Sequence, residues 1–244
     1  MKNYLEESAK KAGIVLSEEK LVKFEVFYEL LIETNKLFNL TAITEMHEVV
    51  LKHFVDSIMI EHCFSLGQEK EKQICPIKKI ADVGTGAGFP GIPLAILYSD
   101  IEFVLMDSLK KRLNFIETVL EKANIKNVSL VHGRAEDLGQ DSTYREKFDL
   151  CVSRAVASLP VLLELCTPFV RVGGKFVSYK SELLKEELGQ SKSALSILHC
   201  TLERKYEYTI PDSELYRVLA IFSKEKKLEK KYPRQAGRPK KNPL

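Results

Sequence analysis

The chain has 244 residues, 45% hydrophobic and 29% charged, an ordinary globular mixture long enough to bury a sizeable core without staples. No run of about 18 apolar residues offers a membrane span, and the opening MKNYLEESAKKAGIVL lacks an apolar stretch followed by a small-residue cleavage site, so a cytoplasmic protein is expected. Cys63, Cys75, Cys151, Cys166 and Cys200 form no C-x-x-C pair and are odd in number, which points to reduced thiols and away from disulfides or a zinc site. The net charge of +3 hides an asymmetry: residues 223–244 carry nine Lys or Arg against two Glu, a net +7, and the rest of the chain is net −4. A basic end on a mildly acidic body points to a polyanionic partner, the plain alternative being a solvated end.

In chain order, residues 17–38 read as an amphipathic helix. Ser17 caps it, Glu18 and Glu19 suit the positive end of its dipole, and Leu21, Phe24, Tyr28 and Leu31 stripe one face. The same periodicity predicts a second helical stretch over 46–64. Residues 65–76, SLGQEKEKQICP, read as a linker. Short apolar runs then alternate with helical patterns: strands at 80–83, 101–106, 128–131, 148–152 and 175–179, helices at 89–98, 158–170 and 181–199, and a helix striped by Leu109, Leu113, Ile116 and Leu120. That alternation predicts an α/β fold, a Rossmann-like parallel sheet wound with helices on both faces. Two last β-like runs, 202–210 and 215–223, are joined so briefly that they must form an antiparallel hairpin at the sheet's edge. The expected organisation is a helical extension (1–64) packed on the core, a linker (65–76), a main domain (77–224) and a basic tail (225–244).

The sharpest local signal is Ile80-Ala-Asp-Val-Gly-Thr-Gly-Ala-Gly-Phe-Pro-Gly91. Gly84, Gly86 and Gly88 follow a strand and open a helix, where the missing Cβ permits a tight turn and close approach of a ligand. Phe89 stands where a dinucleotide fingerprint wants glycine, and no Gly-Lys-Ser/Thr follows for a P-loop, leaving a nucleoside cofactor without phosphate or a plain tight turn. Asp107 ends the second strand, placed to accept ribose hydroxyls or to cap the following helix. Ala135 and Glu136 follow the third strand, where backbone groups can read an adenine edge. His132, just before them, reads as a packed or surface residue. Arg154 ends the fourth strand, facing either the crevice or an ion-pair partner.

These pieces, with Phe38-Asn-Leu-Thr-Ala-Ile43, Leu51-Lys-His-Phe-Val-Asp-Ser57, Asp107-Ser-Leu-Lys-Lys-Arg112, Arg134-Ala-Glu136, Ser153-Arg-Ala-Val-Ala157, Lys231-Tyr-Pro-Arg234 and Lys240-Lys-Asn-Pro-Leu244, lie in order along nearly the whole chain. Together they resemble the RsmG (GidB) family of bacterial 16S rRNA guanine-N7 methyltransferases. The family's tail usually reads Ala-Gly-Thr-Pro, and here Arg238 follows Gly237. The resemblance implies S-adenosyl-L-methionine as cofactor, contacted at Gly84, Phe89, Asp107, Ser108, Leu109, Ala135, Glu136 and Arg154. The implied target is a guanosine at position 527 in the usual rRNA numbering, within 16S rRNA or the small ribosomal subunit. No metal, membrane or catalytic base is expected. Guanine N7 has a lone pair and no proton to lose, so Arg154 is a candidate only for orientation. Cys151 and Cys166 lie in apolar runs and read as core, not as nucleophiles. Lys230, Lys231, Arg234, Arg238, Lys240 and Lys241 are expected to meet phosphate. A monomer is the default expectation. Two other readings stand beside this one: a methyltransferase of the same fold acting on another RNA or a small molecule, and a non-catalytic nucleic-acid-binding protein that has kept the fold.

Overall fold

The computed structural model describes residues 1–64 and 77–244; the expected linker at 65–76 lies outside them. Seven strands form one sheet: β1 (Lys79–Val83), β2 (Glu102–Asp107), β3 (Val128–His132), β4 (Phe148–Arg154), β5 (Val170–Lys180), β6 (Cys200–Thr209) and β7 (Tyr216–Lys224). Their order across the sheet is β3-β2-β1-β4-β5-β7-β6. The first five are parallel. β7 runs antiparallel to both neighbours and so separates β5 from its own hairpin partner β6, which takes the edge. β1, β2 and β4 are almost continuously buried because helices cover both their faces, whereas the edge strand β3 is not. In β1 every residue after Lys79 is buried.

Ser17 caps the helix Glu18–Asn35, its side chain accepting the Lys20 N–H at 3.4 Å. The buried stripe is Leu21, Phe24, Phe27 and Leu31. The expected Tyr28 is only half-buried, because spacings of three and four both fit one face and the packing against Phe89 selects Phe27. A helix at Lys2–Lys11, which opens without a side-chain cap, precedes it and buries Leu5, Ser8 and Ala9. The stretch 46–64 is helical but irregular: Met46–Val49, a π-helical segment Val50–Val55, Asp56–Ile58, then Glu61–Phe64 after a turn. π-segments recur at functional sites, and this one carries His53. The helix expected over 181–199 is two helices, Leu184–Gln190 and Lys192–Ile197, broken at Ser191, whose hydroxyl donates back to the Glu187 carbonyl at 2.7 Å. Leu109 does not join the buried face of the helix Lys110–Lys122; it precedes that helix and is 43% exposed.

Two apolar clusters flank the sheet. One joins the N-terminal helices to the helices Gly91–Leu97 and Lys110–Lys122, the other packs Leu159–Cys166 and the C-terminal segment on the opposite face. Cys151 and Cys166 are fully buried in the second cluster. Among the described residues no helix is long and apolar enough to cross a membrane, and no group of three or more His, Cys, Asp and Glu is arranged to hold a metal ion.

The C-terminal segment is bolted down. Leu228 and Tyr232 are buried. Arg145 donates to the Tyr232, Leu228 and Glu229 carbonyls, and Gln140 to those of Lys230 and Pro233. Arg234 forms a forked ion pair with Glu164, closest at 2.6 Å, and its backbone N–H donates to the same carboxylate. The carboxylate is fully buried, so the fork and the backbone donor together satisfy a charge that would otherwise be very costly.

Candidate functional site

A cavity of about 740 Å³ opens at the C-terminal ends of β1, β2 and β4, where the winding of the sheet reverses direction. Open α/β sheets bind ligands at such a crevice. The loop after β1 forms its floor. Gly84 (φ +75°) has no room for a Cβ, which would sit 2.6 Å from Val156. Gly86 (φ +61°) differs: a Cβ there would find only the Gly84 carbonyl, at 4.0 Å. A side chain at 86 would therefore take up cavity space, and glycine leaves backbone exposed to a ligand. Gly88 is not part of the lining. Its Cβ would strike Ile92 at 2.7 Å, so that glycine serves helix–loop packing.

The Asp107 carboxylate, 4% exposed, forms part of the wall. Its Oδ2 accepts the Gly86 N–H at 2.9 Å and its Oδ1 the Leu109 N–H at 2.8 Å, with Arg112 at 3.3 Å. It thus fixes both the glycine loop and the approach to the helix Lys110–Lys122. Oδ1, with a single donor, keeps an acceptor position for a ligand hydroxyl. Asp107 does not cap the helix as the second sequence alternative has it: the N-cap is Leu109, with no side-chain cap, and the carboxylate braces the turn before it. Ser108, Ala135 and Glu136 also line the cavity, and Leu109 does not. Glu136 accepts the Gly237 N–H at 2.8 Å, so part of its carboxylate is engaged with the C-terminal segment. His132 is exposed and hydrogen-bonds the Ser108 carbonyl at 3.1 Å.

Arg154 lies 11% exposed at the end of β4. The carboxylate that sequence could not identify is Asp56, at 2.8 Å. Asp56 also accepts from the Tyr208 hydroxyl at 2.7 Å. Its signal in the sequence was the one carboxylate within the largely apolar residues 49–60, since a buried carboxylate must be paired. The Arg154 guanidinium also donates to the Lys52 carbonyl at 3.2 Å and lies 5.3 Å from the centre of the Phe89 ring. Phe89 stacks on His53 at 4.5 Å and on Phe27 at 5.0 Å. Burial, with the adjoining Arg154 second, pushes the His53 imidazole down to about 3. Burial also pushes Asp82, beneath the loop, up to about 7, and its Oδ2 accepts the Gly91 N–H at 2.9 Å.

Sequence reasoning missed two walls. Leu40, Thr41 and His53 come from the N-terminal segment, and Gly237, Pro239 and Lys240 from the C-terminal one. The expected phosphate contacts divide. Lys230, Arg238, Lys240 and Lys241 are exposed. Lys231 is exposed but paired with Glu229 at 2.8 Å. Arg234 is committed to Glu164 and is withdrawn from the set: its charge neutralises a buried carboxylate instead of facing solvent. Arg134, exposed on the cavity rim, was not among the expected contacts.

Residues 20–213 match the protein-family model described as "GidB: rRNA small subunit methyltransferase G". The chain is 47% identical over 95% of its length to the "Ribosomal RNA small subunit methyltransferase G" of Lachnoclostridium phytofermentans, covering 93% of that protein. It is 44% identical over its whole length to the protein of the same name from Acetivibrio thermocellus, covering 97% of it. Among solved structures it is similar to M. jannaschii TYW2 in complex with AdoMet, with a TM-score of 0.51 at 13% identity over 69% of this chain and 76% of that one. It is also similar to NSun6 from Pyrococcus horikoshii with SFG, with a TM-score of 0.50 at 19% identity over 60% and 48%. At those identities the likeness is one of fold.

Proposed function

Because this chain belongs to the rRNA small subunit methyltransferase G family, we propose that it methylates N7 of a guanine in 16S rRNA, using S-adenosylmethionine. The observation that carries the reading is the cavity itself: a glycine floor with space above Gly86 and a carboxylate with a free acceptor position beside it. These residues fit the cofactor. The nucleoside end is assigned to Asp107, Ser108, Ala135 and Glu136, the amino-acid end to the backbone at Gly84 and Gly86, and the wall beside the reacting atoms to Phe89 and Arg154. When bound, the cofactor supplies a methyl group on a sulfonium. Asp107 would orient the ribose, the exposed backbone of the glycine loop would meet the amino-acid end, and the stacked Phe89 and His53 rings would keep water from one side. The rest of catalysis is alignment and fixed dipoles, because guanine N7 needs no base. Burial holds the Cys151 thiol well above its ordinary range, against a thiolate mechanism.

The target guanosine is assigned to position 527 in the usual rRNA numbering. The exposed Arg134, Lys230, Arg238, Lys240 and Lys241, with Lys231, are assigned to rRNA phosphates in a bacterial cytoplasm. Mapping of N7-methylguanosine in 16S rRNA from cells with and without the protein tests the reading: the modification should vanish with the gene, and its persistence would overturn the assignment.

Asp107→Ala is expected to weaken S-adenosylmethionine binding at least tenfold, the cost of a lost charged hydrogen bond of about 1.5–3 kcal/mol. Calorimetry giving equal affinities for the two proteins would remove Asp107 from the cofactor site. The base-free mechanism predicts a single-turnover rate that is level between about pH 7.5 and 9 at saturating RNA and cofactor. His53, at about 3, stays neutral throughout that window, which begins above the Asp82 value of about 7. A rate climbing tenfold per pH unit there would reveal a general base.

A further inference from the structure

The stretch Phe38-Asn-Leu-Thr-Ala-Ile43 brings Leu40 and Thr41 into the cavity wall, although no cofactor contact is assigned to it. Its backbone is fixed by Asn35, whose Oδ1 accepts the N–H groups of Leu40 at 2.7 Å and Thr41 at 2.9 Å. The Thr41 hydroxyl oxygen lies 3.1 Å from the Ile43 N–H and 2.9 Å from His53 Nε2. On the other side of the imidazole, Nδ1 faces Arg154 Nη2 at 3.4 Å.

The contact with Arg154 selects the direction of these hydrogens. A guanidinium only donates, so Nδ1 of His53 accepts. The ring is neutral, held so by burial and by the neighbouring arginine, and its single N–H is therefore on Nε2. That N–H donates to Thr41. The Thr41 oxygen then accepts two hydrogen bonds, from His53 and from Ile43, and both its lone pairs are used. Its own hydrogen remains. Among the described residues no acceptor takes it, and the space open to it is the cavity that Thr41 lines.

We propose that Thr41 is a specificity residue for the target base: its hydroxyl, held as an obligate donor by the relay Arg154–His53–Thr41, donates to guanine O6 while the adjacent N7 receives the methyl group. The proposal rests on the guanine-N7 reading above. The edge of guanine that carries N7 presents two acceptors, N7 and O6, and adenine puts an amino donor where guanine has O6. A hydroxyl with no lone pair to spare repels that amino group. His53 and Arg154 are positioning residues in this arrangement, since they act through Thr41.

The test compares single-turnover methylation of 16S rRNA bearing either guanosine or 2-aminopurine at the target position. 2-Aminopurine keeps N7 and lacks O6. Wild-type enzyme should prefer guanosine. Thr41→Val, close in shape but without the donor, should reduce that preference roughly tenfold, and Thr41→Ser should restore it. Dividing the two preferences cancels the intrinsic difference in N7 reactivity and any loss of folded enzyme. An unchanged preference in Thr41→Val overturns the proposal. So does a variant whose whole defect lies in cofactor affinity, which would put the hydroxyl on the cofactor. Wild-type enzyme that leaves N7 unmethylated on guanosine-bearing RNA would instead bring down the underlying functional reading.

Discussion

Arg154→Ala should lower the single-turnover methylation rate by roughly a hundredfold, the scale set by misplacing reacting groups by about an ångström. The guanidinium joins the N-terminal helices to the end of β4, through Asp56 at 2.8 Å and the Lys52 carbonyl at 3.2 Å, and it lies over the Phe89 ring. Without it, the π-helical segment that carries His53 loses its tie to the end of β4. Some stability will be lost as well, because Asp56 is left buried. The loss is moderated by Tyr208, which still donates to that carboxylate, and by Arg217 at 3.9 Å. Arg154→Lys retains a charge without the planar fork and should recover only part of the rate. Thermal melts and rates measured on the same preparations separate the roles. If the rate falls only in proportion to the folded fraction, Arg154 is a structural tie and nothing more.

Arg234→Ala should destabilise the fold by about 3–5 kcal/mol, the usual cost of stranding one partner of a buried ion pair. Glu164 is fully buried and would keep only the Arg234 backbone N–H as donor to its carboxylate. Glu164→Gln combined with Arg234→Met removes both charges and should recover much of the loss. Urea unfolding of the single and double variants measures this, and an Arg234→Ala protein as stable as wild type would refute the bolt. RNA binding offers a second reading of the same residue. Neutralising Lys240 and Lys241 should flatten the salt dependence of RNA affinity by about one unit of slope per lost phosphate contact, and Arg234→Met in the Glu164→Gln background should leave that slope unchanged.

The single change from Tyr28 to Phe27 in the buried stripe of the first long helix shows where local reading stops. Spacing identifies a face to within one residue, and the partner across the interface, here Phe89, chooses among neighbours. Asp56 and Arg154 make the same point for charge. Each is a conspicuous residue by itself, at the edge of an apolar run, but they are 98 positions apart, and only closure of the chain pairs them. The basic C-terminal segment was legible as a charge asymmetry. Which of its cations face water was not, because Arg234 and its neighbours look alike until Glu164 is brought beside one of them.

What the sequence determined was whatever chain-local physics dictates: the alternation of strands and helices, hence the wound sheet; the antiparallel closing hairpin; and the glycine turn with Asp107 at the ends of adjacent strands, since parallel register carries β1 and β2 to the same edge. Only the tertiary structure decided that the two chain ends complete the cavity, with Thr41 and His53 on one wall and Gly237, Pro239 and Lys240 on another. The reason is physical. Periodicity and turn chemistry act over a few residues and are written in order along the chain, whereas a shared wall or a buried ion pair depends on distances between segments that become neighbours only when the apolar faces of the sheet are covered.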